Sequence, residues 1–138
     1  NSIIGMPDET RELIFDTINF VRKLPENIDA TGAFIFAPYH GTPLRTLAIE
    51  KGYLKDEEIC SLSNTSESML RMPTISKDEI QGIARVFSFY IKFPKDRWDE
   101  IKIAEQPTPE GEKMFVKLGK EFDEKYRQYA AGALDLHD

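Results

Sequence analysis

Ile3-Ile4-Gly5-Met6-Pro7-Asp8-Glu9-Thr10 and, further along, Phe36-Ala37-Pro38-Tyr39-His40-Gly41-Thr42-Pro43-Leu44 are the stretches that decide the fold. Each leaves an apolar run that reads as a strand, passes a proline-containing turn and opens a segment that reads as a helix. Strand–turn–helix units in series are the repeat of a parallel α/β sheet or barrel. In such folds ligands sit at the carboxyl ends of the strands, where both turns lie. The chain enters an apolar strand at once from Asn1, with no initiator Met, and a two-stranded sheet is marginal by itself. The chain is therefore expected to be a fragment cut from a larger barrel, with the first strand at an open edge that invites pairing with another copy.

Residues 1–6 read as the first strand. Asp8 or Thr10 can cap the following helix, whose inner face is expected to carry Leu13, Ile14, Ile18, Val21 and Leu24 before Pro25 stops it. Ala30 to Ala37 reads as the second strand, with Phe34-Ile35-Phe36 as its core and Pro38 at its end. Thr42-Pro43 is a capping hydroxyl followed by proline at the first helical position. Leu44, Leu47 and Ala48 face inward on that short helix, and Gly52 closes it.

Residues 53–75 are the least regular part. Asp56-Glu57-Glu58 reads as a solvated turn or a helix start rather than a metal site, and Ser61 to Ser68 as a polar loop or a frayed turn. The remainder is helical. Ser76 and Glu79 form a capping box before Ile80, Ile83, Ala84, Phe87 and Ile91. Val86, Phe89, Tyr90 and Phe93 make a second apolar side, so this helix is expected to be buried between neighbours. Pro94 breaks it, and Lys95 to Ala104 forms a shorter helix. After Thr108-Pro109, a final helix carries an aromatic stripe of Phe115, Leu118, Phe122, Tyr126 and Tyr129. Lys117/Glu121 and Asp123/Arg127 stand at ion-pair spacing on it.

Composition bounds the function. A chain of 138 residues fits one domain, and 41% hydrophobic residues with nine Phe and five Tyr suffice for a core. The net charge of −6, with bases interleaved among acids, argues against a nucleic-acid surface. No apolar run approaches the ~20 residues of a membrane span. The single cysteine, Cys60, excludes an internal disulfide, suits the reducing cytoplasm and cannot supply three thiolate ligands to a cluster. The catalytic inventory is poor. His40 stands in the second turn, where it and Tyr39 are candidates to face a substrate, with a solvated turn residue as the alternative for His40, and His137 lies at the very end of the chain. There is no Ser/His/Asp set, paired-carboxylate signature, phosphate loop or dinucleotide fingerprint. Such a chain is expected to complete a cofactor pocket rather than run a reaction.

The two turns together resemble a family. Ile3 to Thr10 resembles the I-x-G-[LM]-P-G-E-T segment of radical S-adenosylmethionine (radical SAM) enzymes, in the branch that often carries an N-terminal cobalamin-binding domain. Phe36 to Leu44 is similar to that branch's [FL]-x-P-Y-P-G-T-x-L, followed by a short helix and a Lys-Gly pair, here Lys51-Gly52. Phe89-Tyr90-Ile91-Lys92-Phe93-Pro94-Lys95-x-x-Trp98-x-x-Ile101 is similar to the helical extension beyond the barrel. Two positions depart from the pattern: Asp8 replaces the usual glycine, and His40 the usual proline.

The resemblance implies a partial (β/α)6, TIM-barrel-like fold, of which 1–54 would be the last two strand–helix units and 55–138 a helical extension. It implies S-adenosylmethionine and a [4Fe–4S] cluster as cofactors of the whole protein, an oxidoreductase or methyltransferase-like activity, and leaves cobalamin open. The cluster's Cys-x-x-x-Cys-x-x-Cys loop is absent from this chain and would lie in the missing N-terminal part, its expected partner. Ile3 and Gly5, and Phe36, Ala37 and Pro38, would contact the adenine, and the small-molecule substrate stays unnamed. A glycine admits a flat ring close to backbone, and Ile3 and Phe36 offer apolar surface on adjacent strands. The alternative is a non-catalytic, mostly helical binding module using its aromatic tail as an interaction surface. One measurement follows from the cysteine count: anaerobic reconstitution of this chain alone is expected to give no stoichiometric iron and sulfide. A four-iron cluster would refute it.

Overall fold

The structure is a computed structural model that describes residues 1–25, 32–60 and 67–127. Two short strands, β1 (Ser2–Ile4) and β2 (Ala33–Ile35), pair in parallel. Their register sets Ser2 against Ala33, Ile3 against Phe34 and Ile4 against Ile35. Each is followed by a helix, α1 (Arg11–Val21) and α2 (Pro43–Glu50). After an irregular strap come α3 (Lys77–Lys92), α4 (Trp98–Ala104, entered through a 3-10 turn at Lys95–Arg97) and α5 (Pro109–Phe122), which runs into a π turn at Asp123–Arg127. The architecture is α/β, mostly helical, on a parallel strand pair.

Capping chemistry places the helix starts. Thr10, Thr42, Ser76 and Thr108 each accept a backbone N–H from three residues ahead, which satisfies a donor the first turn leaves unpaired. Thr10 caps α1, whereas Asp8 turns its carboxylate elsewhere. The capping box at α3 is half made: Ser76 accepts from Glu79 N–H, but the Glu79 carboxylate takes a hydrogen bond from Arg11 instead of reaching back.

The strands are shorter than expected, and alternation sorts their side chains. Ile4 and Ile35 point into the core, while Ile3 and Phe34 stand side by side on the opposite face, 59% and 49% exposed. Phe34 is thus not core, in contrast to the sequence reading, because the parallel register puts it level with Ile3. Leu13 is a second correction. The buried stripe of α1 is Ile14, Ile18 and Val21, and Leu13 lies outward with Phe20. Ala30, Tyr129, His137, most of the Ser61–Ser68 loop and the side chain of Arg127 fall outside the described residues.

Helix α3 is the axis of the core. It packs on β2 and α1 on one side and on α4 and α5 on the other. Ile80, Ile83, Val86, Phe87, Phe89, Tyr90 and Ile91 are all buried, as its two apolar faces require. The aromatic tail joins this core. Phe89 lies 5.6 Å from Phe115 and 5.5 Å from Phe122 between ring centroids, and Phe93 lies 5.8 Å from Tyr126. Phe115, Phe122 and Tyr126 are partly buried by this packing. The expected Lys117/Glu121 pair also goes elsewhere. Glu121 takes Arg97 at 3.0 Å and Lys117 takes Glu100 at 3.4 Å, so these charges join α4 to α5 instead of bracing one helix.

A buried ion pair locks the two layers together. The Glu105 side chain, at the end of α4, is 2% exposed. Arg11, at the start of α1, reaches it with both terminal nitrogens, at 2.9 and 2.8 Å, and the buried Tyr90 hydroxyl donates to it as well. Burial raises the Tyr90 phenol well above its ordinary range, and its bond to Glu105 pushes the same way. Arg22, just past the end of α1, donates to the Tyr90, Ile91 and Phe93 carbonyls at 2.6, 2.8 and 2.8 Å. A cation is favoured at that helix C-terminus, where carbonyls lack partners.

The backbone at Glu105 can approach α3 because residue 82 is glycine. A Cβ there would stand 2.5 Å from the Glu105 carbonyl oxygen, whereas one at Gly119 would meet nothing within 4 Å. Gly82→Ala is therefore expected to lower stability by about 1–3 kcal/mol through overpacking. Gly119→Ala should raise it by up to about 1 kcal/mol through helix propensity. Urea denaturation of both variants checks the contrast, and equal shifts would contradict the packing.

Candidate functional site

The carboxyl ends of β1 and β2 carry both turns, so Ile3, Gly5, Phe36, Ala37, Pro38, Tyr39 and His40 are brought to one end of the strand pair. Ile3 and Phe34 form an open apolar pair, whereas Phe36, just past the end of β2, is half-buried and packs against the core. Ala37 is half-buried and Pro38 buried, while Tyr39 and His40 are exposed. Phe34 was not among the residues picked for the site. The strand alternation that sets Phe34 opposite to Ala33 and Ile35 was the available signal.

Gly5 is buried and has φ 81°, a left-handed backbone that glycine adopts freely. The side on which a Cβ would stand meets Ile80 Cγ2 at 3.2 Å and Ile35 Cγ2 at 3.7 Å. Glycine here admits the first turn of α3 against the strand end. The Glu9 carboxylate closes the same turn by accepting the Gly5 and Met6 N–H groups at 2.5 and 3.2 Å. Burial raises the Glu9 carboxyl above its ordinary range, against the pull of those two hydrogen bonds. Glu9 therefore occupies the donors of the first turn, a role its helix-start position alone did not reveal.

Asp8 also has a left-handed backbone, φ 63°. Its carboxylate bonds the Lys51 ammonium at 2.7 Å and accepts the Tyr53 hydroxyl at 2.5 Å. The lysine of the Lys51-Gly52 pair is thus tied to the first turn. Lys51, then Tyr53, hold the Asp8 carboxyl below its usual range.

The second turn is held from beneath by Arg45, which is 3% exposed. Its guanidinium donates to the Pro38 carbonyl at 2.9 Å and to the Asp56 and Glu58 carbonyls at 3.0 and 2.6 Å. Arg45 joins the strand-end turn to the strap that follows α2. Spacing placed Leu44, Leu47 and Ala48 inward and passed over this arginine, because a buried cation is legible only once its carbonyl partners are known.

The acidic run at 56–58 is a turn, with Glu58 accepting from Lys55 N–H and clasping Arg71 at 2.9 and 2.6 Å. Among the described residues, no group of three or more His, Cys, Asp or Glu side chains could hold a metal ion. Cys60 is half-buried. Among the same residues no helix is long and apolar enough to cross a membrane.

With this geometry in place, comparisons with known proteins give one relative. A protein named as an uncharacterized methyltransferase of Pyrococcus horikoshii is 34% identical to this chain over 92 residues, 65% of this chain and 19% of that protein. The chain thus spans less than a fifth of that relative's length, and the likeness is distant and partial. No family model matches the chain. No solved structure matches it either.

The strap has a pH signature. The Glu58–Arg71 bond, followed by the Lys55 N–H, lowers the Glu58 carboxyl from 4.5 to about 2. A carboxylate depressed in the folded state contributes stability above its unfolded value and loses it as pH falls through the folded one. That contribution is complete above 4.5 and is lost between 4.5 and about 2. A carboxyl-carbon NMR titration should find Glu58 ionising near 2, and Arg71→Met should return it toward 4.5. An unshifted midpoint in the unaltered protein would remove the clasp.

Proposed function

We propose that this chain is the last part of a radical SAM enzyme's partial barrel, with its helical extension. Residues 1–54 supply the final two strand–helix units, and 55–138 form the cap over the substrate pocket. The observation that carries the reading is the open apolar face at the carboxyl ends of two parallel strands, where Ile3 stands beside Phe34. An adenine ring could lie there, against apolar side chains and near the backbone of Gly5 and of Phe36-Ala37-Pro38. The likeness to a protein named as a methyltransferase supports S-adenosylmethionine as the ligand class.

The residues of this chain do not fit the iron–sulfur cluster. One cysteine cannot provide its thiolates. When bound, S-adenosylmethionine supplies the transferable group. This chain's residues orient its adenosine end and exclude water from it, and Tyr39 and His40 face the substrate side from the rim. Each of the two strands has one edge unpaired among the described residues. We assign the outer edge of β1 to the preceding strand of the same protein, the partner that would also cover Leu13 and Phe20. In its absence a second copy pairs there. The reaction catalysed, by this reading, belongs to the whole protein: a methyl transfer or another S-adenosylmethionine-dependent conversion of a small molecule.

Ile3→Asp and His40→Ala separate this reading from its failure. Ile3 is largely exposed, so in the present chain the aspartate should change stability by no more than about 0.5 kcal/mol. In the protein with its upstream portion, the same carboxylate would lie unpaired against the adenine, where burying it costs several kcal/mol. Loss of a rim contact at His40 should cost about 1 kcal/mol. Calorimetric titration with S-adenosylmethionine is expected to show affinities more than tenfold apart. Equal affinities in two folded variants would move the adenine away from β1.

A further inference from the structure

We propose that Asp8 is a positioning residue for the strand-end site: through Lys51 and Tyr53 it sets the spacing of the two turns that frame the apolar platform. The proposal rests on the function proposed above and adds to it a residue at which this chain departs from the resembling pattern.

The contacts make a closed mechanical loop. Asp8 sits in the turn between β1 and α1. Its two carboxylate oxygens hold the Lys51 ammonium and the Tyr53 hydroxyl. Lys51 ends α2, and its N–H bonds the Leu47 carbonyl at 3.0 Å. Tyr53 is fixed on both sides of its backbone, by its N–H to the Ala48 carbonyl and by its carbonyl to Arg71 N–H, each at 2.9 Å. From α2, Arg45 reaches the Pro38 carbonyl in the second turn. The Phe36 N–H bonds the Ile4 carbonyl at 2.8 Å, which brings the path back to β1. A shift of the first turn relative to α2 is therefore opposed at Asp8 and transmitted, through Arg45, to Pro38.

The choice of residue supports the same conclusion. At φ 63° a glycine would be free of strain, and an aspartate is tolerated there at a cost in backbone energy. The Lys51 and Asp8 side chains are 40% and 44% exposed. An ion pair that exposed adds little to stability, because water screens it and two long side chains lose freedom. Stability alone does not account for a strained residue making weak surface contacts. Fixing two turns on either side of a ligand does, since small misplacements at a binding site are costly.

The test uses the full-length protein, with S-adenosylmethionine as the probe and variants Asp8→Gly, Asp8→Asn, Lys51→Met and the double variant Asp8→Gly/Lys51→Met. Asp8→Gly relieves the backbone, so its melting temperature is expected to stay unchanged or rise. Its affinity is nevertheless expected to fall about three- to tenfold. Asp8→Asn keeps an acceptor for Tyr53 and tolerates the left-handed backbone, so it should restore part of the loss. The double variant should bind no more weakly than Asp8→Gly, because both changes break one contact. A purely structural Asp8 would instead move stability and leave affinity alone, and an Asp8→Gly protein that binds as the unaltered one does overturns the proposal. If the unaltered protein does not bind S-adenosylmethionine, the function proposed above fails separately. Amide hydrogen exchange across residues 36–41 then decides the clamp. Faster exchange at Phe36 and Tyr39, whose N–H groups are hydrogen-bonded, in Asp8→Gly upholds it, and an unchanged pattern overturns it.

Discussion

The Glu105 carboxylate is buried, and the packing around it has to keep Arg11 and the Tyr90 hydroxyl within reach. An unpaired charge in that position would be strongly destabilising, whereas a paired and hydrogen-bonded one is tolerated. The requirement joins parts of the chain that are distant in sequence: the start of α1, the end of α3 and the end of α4. Arg22 adds a second tie from the end of α1 to the carbonyls that close α3. The strand pair and the C-terminal helices are thereby one packed unit. Gly82 allows the close approach of the Glu105 backbone on which this arrangement depends.

With α3 packed on the inner side of the strands, Ile3 and Phe34 on the opposite side are left exposed. The polar groups around it are largely occupied from within the chain. Glu9 takes the N–H groups of the first turn, Arg45 takes the Pro38 carbonyl, and Asp8 is engaged by Lys51 and Tyr53. The remaining surface is apolar, with Ile3 and Phe34 at its centre. Such a surface suits a flat, weakly polar group whose specificity comes from shape and a few backbone contacts. The histidine nearest to it among the described residues, His40, is exposed at the rim. Under the function proposed above, such a surface would serve binding and orientation.

Much of the fold was legible because local rules acted without opposition. Thr10, Thr42, Ser76 and Thr108 announced helix starts through their hydroxyls, and Pro25, Pro38 and Pro94 marked where regular structure stops. The two-sided apolar pattern of α3 foretold its place between neighbours. Charge pairing was not legible. Lys117 and Glu121 have helical spacing, yet they turn to Glu100 and Arg97, because a partner on another helix offers better geometry than one on the same face. Phe34 and Leu13 were misplaced for a related reason. An apolar residue beside a buried one looks the same in sequence whichever way the neighbouring layer lies.

By itself, the sequence determined that two strand–turn–helix units lead into an aromatic-rich helical tail, that one cysteine cannot supply three thiolate ligands, and that a proline-containing turn follows each strand. These follow from periodicity, capping and side-chain inventory, which are properties of short windows. Only the tertiary structure decided that Arg11 meets Glu105, that Arg45 lies beneath Pro38, that Asp8 reaches across to Lys51 and Tyr53, and that Ile3 and Phe34 share the open face. Those are contacts between segments far apart along the chain, where charges and hydrogen-bonding groups take whichever partners the packing brings within reach.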